Sequence, residues 1–292
     1  MPYSNNEYIS GEKIQLLCSH FLGTERDFKY NPKIGKLYHS NNDPNKFILL
    51  NDSNNTPVDN QSLVFAYTHM LRRNLQDLIS HLKRFKNPFA LVFHNSDDHF
   101  HPMHLNLFEE VPLIQHIFSQ NCLVYNHEKV THLPIGIANS QWRHGDISLV
   151  HKESLNKSSK EKLIYFNFST RTNKNIRNHC KSTLESKGLS MSSNLPYPAF
   201  LKDLHSHQFC ACPRGRGIDT HRLWECFYLK VVPICMADDF YKHLSKSFPI
   251  YLISDWRDLN FDDLDYANFD FGNKKLFSFK CLKNKINSFK KS

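Results

Sequence analysis

The sequence predicts an α/β fold built as two Rossmann-like domains that face a cleft. Short apolar, β-rich runs recur along the chain with helical or loop material between them, which is typical of parallel sheets covered on both faces. A polar, lysine-rich stretch without apolar periodicity, HKESLNKSSKEK at 151–162, separates two such series. We therefore predict an N-terminal domain at 1–158 and a C-terminal domain at 159–292, whose last helix could pack back on the first.

In the first series, five runs are predicted strands: KIQLLC (13–18), KFILLN (46–51), FALVFH (89–94), CLVYN (122–126) and HLPIGI (132–137). Between the second and third runs, residues 59–86 place leucines and isoleucine at helical spacing. This segment is predicted to be one amphipathic helix, which Asp59 can cap.

The second series begins after the lysine-rich stretch. Its predicted strands are KLIYFNFS (162–169), a weaker run LSMSS (189–193), FCACP (209–213), VVPICM (231–236) and PIYLIS (249–254). Its predicted helices are NIRNHCKSTLESK (175–187) and a segment that starts near residue 220. Strands and helices that alternate in this way predict a parallel sheet.

Composition narrows the class of protein. The chain has 292 residues, of which 40% are hydrophobic, and its formal net charge is +9. That much apolar material predicts a packed core, and the basic balance favours anionic partners. The first residues lack an apolar stretch and no later segment reaches membrane-spanning length, so we expect a soluble cytoplasmic protein without a membrane anchor. Most of the eight cysteines lie in apolar runs, where we expect reduced, structural thiols.

The loop after FCACP carries the strongest chemical signal. In an open α/β sheet, ligands bind at the carboxyl ends of strands, where this loop lies. Gly215 and Gly217 permit positive φ angles and close approach of a ligand to the backbone. Arg214, Arg216 and Arg222 supply forked donors next to a predicted helix N-terminus, which Asp219 or Thr220 can cap. This combination predicts an anion site.

Glu225 follows Arg222 by one helical turn, so both side chains lie on one face of the helix. A carboxylate there can accept hydrogen bonds from both hydroxyls of a ribose, and phosphate donors beside a ribose acceptor indicate a nucleoside diphosphate. The alternative is an ion pair between Arg222 and Glu225 themselves. The loop is neither a dinucleotide fingerprint, because Thr220 stands where the third glycine would fall, nor a Walker loop.

The segment PRGRGIDTHRLWECFYLKVVPI resembles the signature of the exostosin-like glycosyltransferases, a group that includes family 47. The matching positions are Pro213, Arg214, Gly215, Gly217, Asp219, Arg222, Glu225, Pro233 and Ile234. LPIGIANSQWRHGD (133–146) and YFNFSTRTNKNIR (165–177) are also similar to segments of these proteins. Within the group, the chain is most similar to soluble, virus-encoded members that resemble xylosyltransferases, which would place it in a host-cell cytoplasm.

The resemblance implies a GT-B fold and inverting transfer of a sugar, with xylose favoured, from a UDP-sugar to a hydroxyl of a glycan or glycoprotein. It implies that Arg222 faces the diphosphate and Glu225 the ribose. The loop after the strand at 162–169 also lies at a carboxyl end and supplies a second phosphate-binding group. The predicted donor-binding residues are Arg171, Thr172, Asn173, Arg177, Pro213, Arg214, Gly215, Gly217, Ile218, Asp219, His221, Arg222 and Glu225. No cofactor or essential metal is expected, and the family's Asp-x-Asp metal motif has no clear counterpart near the site.

An inverting transfer needs a general base. The stretch FHNSDDHFHPMH (93–104) starts as a predicted strand ends, and Asp97 is the first candidate, with Asp98 and His94 as alternatives. In SQWRHGD (140–146), Trp142 could stack on a sugar face, and His144 or Asp146 is a second candidate base. These three residues form the predicted acceptor site.

Two other functions remain open at this point. The four histidines and two aspartates at 94–104 could bind a metal and hydrolyse phosphoesters. The basic chain could instead bind nucleic acid, although no nucleic-acid motif is present and we expect no nucleic-acid partner.

Overall fold

The computed structural model describes residues 7–28, 47–51 and 62–289. The chain forms two compact units. The first unit comprises Ser10–Ile135 and Leu282–Ser292, and the second comprises Met1–Ile9 and Gly136–Cys281. Residues 136–158, which the sequence-based division groups with the N-terminal domain, therefore belong to the second unit.

The first unit contains a six-stranded sheet with the order β2-β1-β3-β4-β5-β6. The strands are β1 (His20–Thr24), β2 (Phe47–Asn51), β3 (Ser62–Tyr67), β4 (Phe89–His94), β5 (Ile114–Ser119) and β6 (Val130–His132). β2 is antiparallel to β1, and the other neighbouring strands are parallel. The helices are α1 (Gly11–Gln15), α2 (Glu25–Phe28), α3 (Met70–Arg73), α4 (Leu75–Leu82) and α5 (Leu107–Glu110).

Four predictions for the first half of the chain are wrong. HLPIGI (132–137) overlaps a strand only at its first residue, because β6 ends at His132. KIQLLC is not a strand: its first residues complete α1, which Ser10 caps by accepting a hydrogen bond from the backbone of Lys13. The predicted helix at 59–86 is interrupted, because residues 62–67 form β3, a strand buried at every position between β1 and β4. Asp59 lies outside the described residues. CLVYN is not a strand either, and the strand of that region is β5, eight residues earlier at 114 rather than 122.

The second unit contains a parallel four-stranded sheet with the order β10-β9-β8-β7. Its strands are β7 (Lys162–Tyr165), β8 (His207–Ala211), β9 (Val232–Met236) and β10 (Tyr251–Ile253). Its helices are α6 (Ile147–Ser154), α7 (Lys174–Ser186), α8 (Tyr197–His205), α9 (His221–Tyr228) and α10 (Asp239–Ser245), and α11 (Phe279–Ser288) ends the described chain. The predicted strands at 162–169, 209–213, 231–236 and 249–254 and both predicted helices are confirmed. LSMSS at 189–193 does not form a strand, and α6, α8 and α10 were not predicted.

The core of the second unit is a cluster of buried apolar side chains around the two central strands, β8 and β9. Phe209, Val232 and Ile234 from the central strands pack with Leu184 of α7 and with Trp256, which is fully buried. Burial of this kind on two neighbouring parallel strands is what their continuous apolar runs predict. The α/β prediction, with parallel, Rossmann-like sheets, is therefore confirmed. Among the described residues, no helix has the length and apolar character needed to cross a bilayer.

Candidate functional site

The arginine-rich loop, residues 213–220, connects β8 to α9 at the carboxyl edge of the second unit's sheet. The preceding residue, Cys212, donates its backbone N–H to Ile234 O of β9 at 2.9 Å, so the ladder continues up to the loop. The Tyr241 hydroxyl donates to Ile218 O at 2.6 Å, and Trp224 Nε1 donates to Asp219 Oδ1 at 2.9 Å. Ile218 and Asp219 are both buried. These two predicted donor-binding residues thus fix the shape of the loop.

The loop glycines do not have the positive φ angles that the sequence suggested. Among the described glycines, Gly136 and Gly188 are the two in that region. Gly215 is instead limited by space, because a Cβ there would lie 3.2 Å from Arg177 Nη2. Thr220 occupies the N-cap position of α9 with extended backbone but makes no capping hydrogen bond through its side chain. An uncapped helix start next to Arg214 and Arg216 favours an anion.

Arg222 and Glu225 do pair with each other. Arg222 Nε donates to Glu225 Oε2 at 3.1 Å, while the Tyr197 hydroxyl donates to Oε1 at 3.1 Å. Arg222 Nη1 also donates to the backbone oxygen of Asn167 at 2.7 Å. The Arg222 side chain is 23% exposed and that of Glu225 only 5%. The carboxylate is therefore held on both oxygens, and of the two side chains that of Arg222 is the more exposed.

The environment of this pair is aromatic and poorly hydrated. The Arg222 guanidinium carbon lies 4.5 Å from the ring centre of Phe200 and 5.5 Å from that of Tyr165, within cation–π range. Burial raises the pKa of Glu225 above its ordinary value, and the charge of Arg222 opposes that rise. Burial also raises the pKa of Tyr197, and the neighbouring Glu225 raises it further. The tyrosine hydroxyl therefore stays protonated and donates to the carboxylate.

The second predicted phosphate-binding group divides into supporting and exposed residues. Arg177 donates to three backbone oxygens: Nε to Arg214 at 3.1 Å, Nη1 to Ser169 at 2.9 Å and Nη2 to Pro213 at 3.3 Å. Asn173 Nδ2 donates to Gly215 O at 3.0 Å. Both side chains thus hold the loop at 213–215 in place.

Arg171 and Thr172 differ from these two residues. Both are exposed. The Thr172 hydroxyl donates to the backbone oxygen of Ser169 at 3.3 Å. Of this group, Arg171 is therefore the side chain whose charge solvent reaches directly.

The predicted acceptor residues lie in the second unit, close to α9. His221 Nδ1 donates to Gly136 O at 2.8 Å, which joins the start of α9 to the segment that carries them. The ring of His144 lies 6.2 Å from that of His221, and its pKa is lowered by burial and by the charge of Arg222. Asp146 caps α6 by accepting hydrogen bonds from the backbone of Ser148 and Leu149. The Asp146 carboxylate is thus already engaged at a helix end.

The three candidate bases lie in the first unit and differ in access. His94 is fully buried, its Nε2 lies 3.1 Å from Pro134 O, and burial lowers its pKa to about 4. Asp98 forms an ion pair with Arg72, with 3.2 Å between Oδ2 and Nη2. Asp97 is exposed. Exposure to solvent therefore favours Asp97 over the buried His94.

A polar network that the sequence did not reveal fixes the loop carrying these residues. Asn95 has a φ of 57°, its backbone N–H donates to Gln120 Oε1 at 2.9 Å, and its Nδ2 donates to Gln15 Oε1 at 2.9 Å. Asn121 Nδ2 donates to Ser96 O at 3.0 Å. The sequence feature that could have revealed this network is position, because Asn95 directly follows β4, and Gln120 and Asn121 directly follow β5.

The structure brings one set of potential soft-metal ligands together. Within residues 7–28, 47–51 and 62–289, the one group of three ligating side chains close enough to share an ion is Cys210, Cys212 and Cys226. Cys212 Sγ lies 3.8 Å from Cys210 Sγ and 3.9 Å from Cys226 Sγ. All three are buried free thiols, and close sulfur packing in an apolar core explains them equally well.

The histidine-rich stretch at 94–104 forms no comparable group in the described part of the chain. Within it, His104 Nδ1 accepts a hydrogen bond from the backbone N–H of His101, in a local capping turn. His94 is buried against Pro134 instead. The ring nitrogens of His94 and His104 thus contact separate backbone groups rather than one common point.

Comparison with protein-family models gives no match, and comparison with curated proteins gives none. The exostosin-like resemblance accordingly stays a prediction drawn from the motif residues.

Proposed function

We propose that the protein is an inverting glycosyltransferase of the GT-B type. It would transfer a sugar from a UDP-sugar to a hydroxyl of a glycan or glycoprotein, with xylose as the first sugar to test. The observation that carries this proposal is the Arg222–Glu225 pair behind an arginine-rich loop at the carboxyl edge of a parallel sheet. A phosphate site alone would not need the glutamate.

The diphosphate is proposed to bind where the loop meets α9. Arg214 and Arg216 flank this point, and the first turn of α9 offers backbone N–H groups that the Thr220 side chain does not cap. In the described part of the chain, the oxygen atoms that accept from Arg222 belong to Glu225 and Asn167. These contacts use only part of its fork of donors, so a phosphate oxygen can be bound as well.

The ribose is proposed to lie against Glu225. Each carboxylate oxygen can accept more than one hydrogen bond, so those from Tyr197 and Arg222 do not exclude ribose hydroxyls. Because both donors already orient the carboxylate, binding would require little reorganisation. The arrangement is preorganised for a polar ligand rather than assembled by it.

In the proposed reaction, Asp97 takes the proton of the acceptor hydroxyl as that oxygen attacks the anomeric carbon. The bond from that carbon to the diphosphate oxygen breaks, and the leaving UDP carries away the bonding electrons. Arginine donors and a helix N-terminus stabilise the developing negative charge, so this step does not depend on a divalent metal.

Calorimetric titration with UDP, with and without a chelator, tests the proposal. We expect the wild-type protein to bind UDP equally in both conditions, and Arg222→Ala and Glu225→Gln to bind it at least tenfold more weakly. Arg257→Ala is the matched control, because Arg257 is an exposed arginine of the same unit that pairs with Asp255. If the wild-type protein binds no nucleoside diphosphate, the transferase proposal is refuted.

A further inference from the structure

One exposed tryptophan is connected to the Arg222–Glu225 pair through two other aromatic rings. Trp142 is 55% exposed, and its ring is nearly parallel to that of His144, with 22° between the planes and 6.4 Å between the centres. His144 in turn lies 6.4 Å from the ring of Tyr197, edge to face. Tyr197 donates to Glu225. The rings thus form a continuous series from the buried carboxylate to the surface.

The backbone holds this series in place. The N–H of Trp142 donates to Asn139 O at 3.0 Å, and that of Gly145 donates to Trp142 O at 2.9 Å. A Cβ at Gly145 would lie 1.9 Å from Asn139 O, so only glycine fits this turn. Asp146 then anchors the following helix α6 by capping it. An exposed tryptophan on a turn fixed at both sides is a rigid surface for a flat ligand.

The groups around α9 can be compared with the parts of a nucleotide. Arginines and the start of α9 face an anion, and Glu225 can accept from a ribose. Next to Glu225 come Tyr197, His144 and Trp142. In a nucleoside diphosphate the base follows the ribose, on the side opposite the phosphates. His144 also lies 6.2 Å from His221 at the start of α9, so these rings border the proposed ligand site, and a planar base joined to a ribose at Glu225 could reach them.

We infer that Trp142 is the stacking surface for the nucleobase of the donor, with His144 as its second ring. This inference rests on the proposed function and changes one part of it, because Trp142 and His144 move from the acceptor site to the donor site. Both residues belong to the same unit as the arginine-rich loop, in agreement with such a role. Base–aromatic stacking tolerates different bases, so the ring supplies affinity more than discrimination.

Intrinsic fluorescence provides a direct test. The chain has three tryptophans, and the other two, Trp224 and Trp256, are almost fully buried. Quenching on ligand binding therefore reports mainly on Trp142. We expect UDP to quench the wild-type emission and inorganic pyrophosphate to bind more weakly without quenching. Trp142→Ala should weaken UDP binding roughly ten- to hundredfold and leave pyrophosphate binding unchanged.

Two further variants separate stacking from other effects. Trp142→Phe keeps an aromatic face and should retain most of the calorimetric UDP affinity while losing the quenching signal. Leu155→Ala removes another exposed apolar side chain of the same unit and should change neither measurement. If the wild type binds UDP but Trp142→Ala binds it equally well, the stacking role is overturned while the donor site stands. If the wild type binds neither UDP nor pyrophosphate, the proposed function fails, and the stacking role with it.

Discussion

Substitution of Arg177 tests whether this arginine supports the structure of the loop or binds phosphate directly. All three nitrogen positions of its guanidinium donate to backbone oxygens, at Ser169, Pro213 and Arg214. The guanidinium carbon also lies 5.6 Å from the centre of the Phe168 ring. We therefore expect Arg177→Met, which keeps the apolar stem and removes the charge and donors, to loosen the arginine-rich loop from the loop after β7.

The size of the effect follows from the contacts. A hydrogen bond typically contributes about 1 kcal/mol net, and more when one partner is charged. Three such bonds would give roughly 3–5 kcal/mol, but Arg177 is only half-buried, so water can replace part of them. We expect the free energy of unfolding of the second unit to fall by about 2–3 kcal/mol.

Urea unfolding followed by tryptophan emission measures this change. All three tryptophans lie in the second unit, so the signal reports on that unit. Arg171→Met is the matched control, because Arg171 is an exposed arginine six residues before Arg177, in the loop that precedes α7. Its unfolding midpoint should equal that of the wild type. Arg177→Lys should be nearly as unstable as Arg177→Met, since one ammonium cannot reach three diverging carbonyls.

The opposite pattern would refute this reasoning. If Arg177→Met unfolds at the wild-type urea concentration yet loses UDP affinity, Arg177 binds the ligand directly, as the sequence suggested. Near-complete recovery of UDP affinity by Arg177→Lys would point the same way, because a lysine can replace the charge but not the fork of donors.

Three further outcomes are expected. Asp97→Asn should bind UDP normally, while its rate of sugar transfer falls at least a hundredfold. Asp98→Asn should keep most of the transfer activity, because the Asp98 carboxylate pairs with Arg72. The reverse result would assign the role of general base to Asp98. The first unit should lose up to about 3 kcal/mol of stability as pH falls from about 6.5 towards 4, because the pKa of His94 is about 4 in the folded state and higher in the unfolded chain. Urea unfolding followed by circular dichroism at several pH values measures this loss. The free energy of unfolding of His94→Gln should fall less steeply with decreasing pH than that of the wild type. A thiol reagent should modify Cys281 first in the native protein, since the other seven cysteines are buried, and fast reaction of several thiols would contradict that burial.

The sequence predicted the second unit better than the first for a physical reason. Around 209–236 the signals agree: a β-rich run, a loop with glycines, a helical segment and a second apolar run with a proline. In the first unit, SLVFAY at 62–67 is a short apolar run without flanking glycine or proline, so its pattern also suits a helix. The segment becomes a strand because it pairs with β1 and β4 in the sheet. The spacing of apolar residues within the segment does not show which other segments it pairs with.

The same limit applies to the candidate site. Loop position and residue type located the arginine-rich loop, but not the partner of each side chain. Arg177, Asp146 and Asp219 suit ligand contact by type, yet the structure uses them to hold backbone, cap a helix and bind an indole. Their roles depend on neighbours distant in sequence, or on local geometry that several residue types would satisfy.

The mutual pairing of Arg222 and Glu225 does not weaken the case for a ligand. A buried ion pair adds little net stability, because the loss of hydration offsets most of the attraction, and two apolar side chains of similar volume would commonly be as stable. The fold alone therefore does not require a charged pair on this face of α9. The Arg222 side chain is 23% exposed and that of Glu225 is 5% exposed, so solvent reaches the arginine more readily than the glutamate. Without its glutamate, a half-buried arginine would have to be oriented by an incoming anion at the moment of binding. With it, the guanidinium is already held by Glu225 and by the backbone of Asn167, and an anion gains the full interaction without first ordering the side chain.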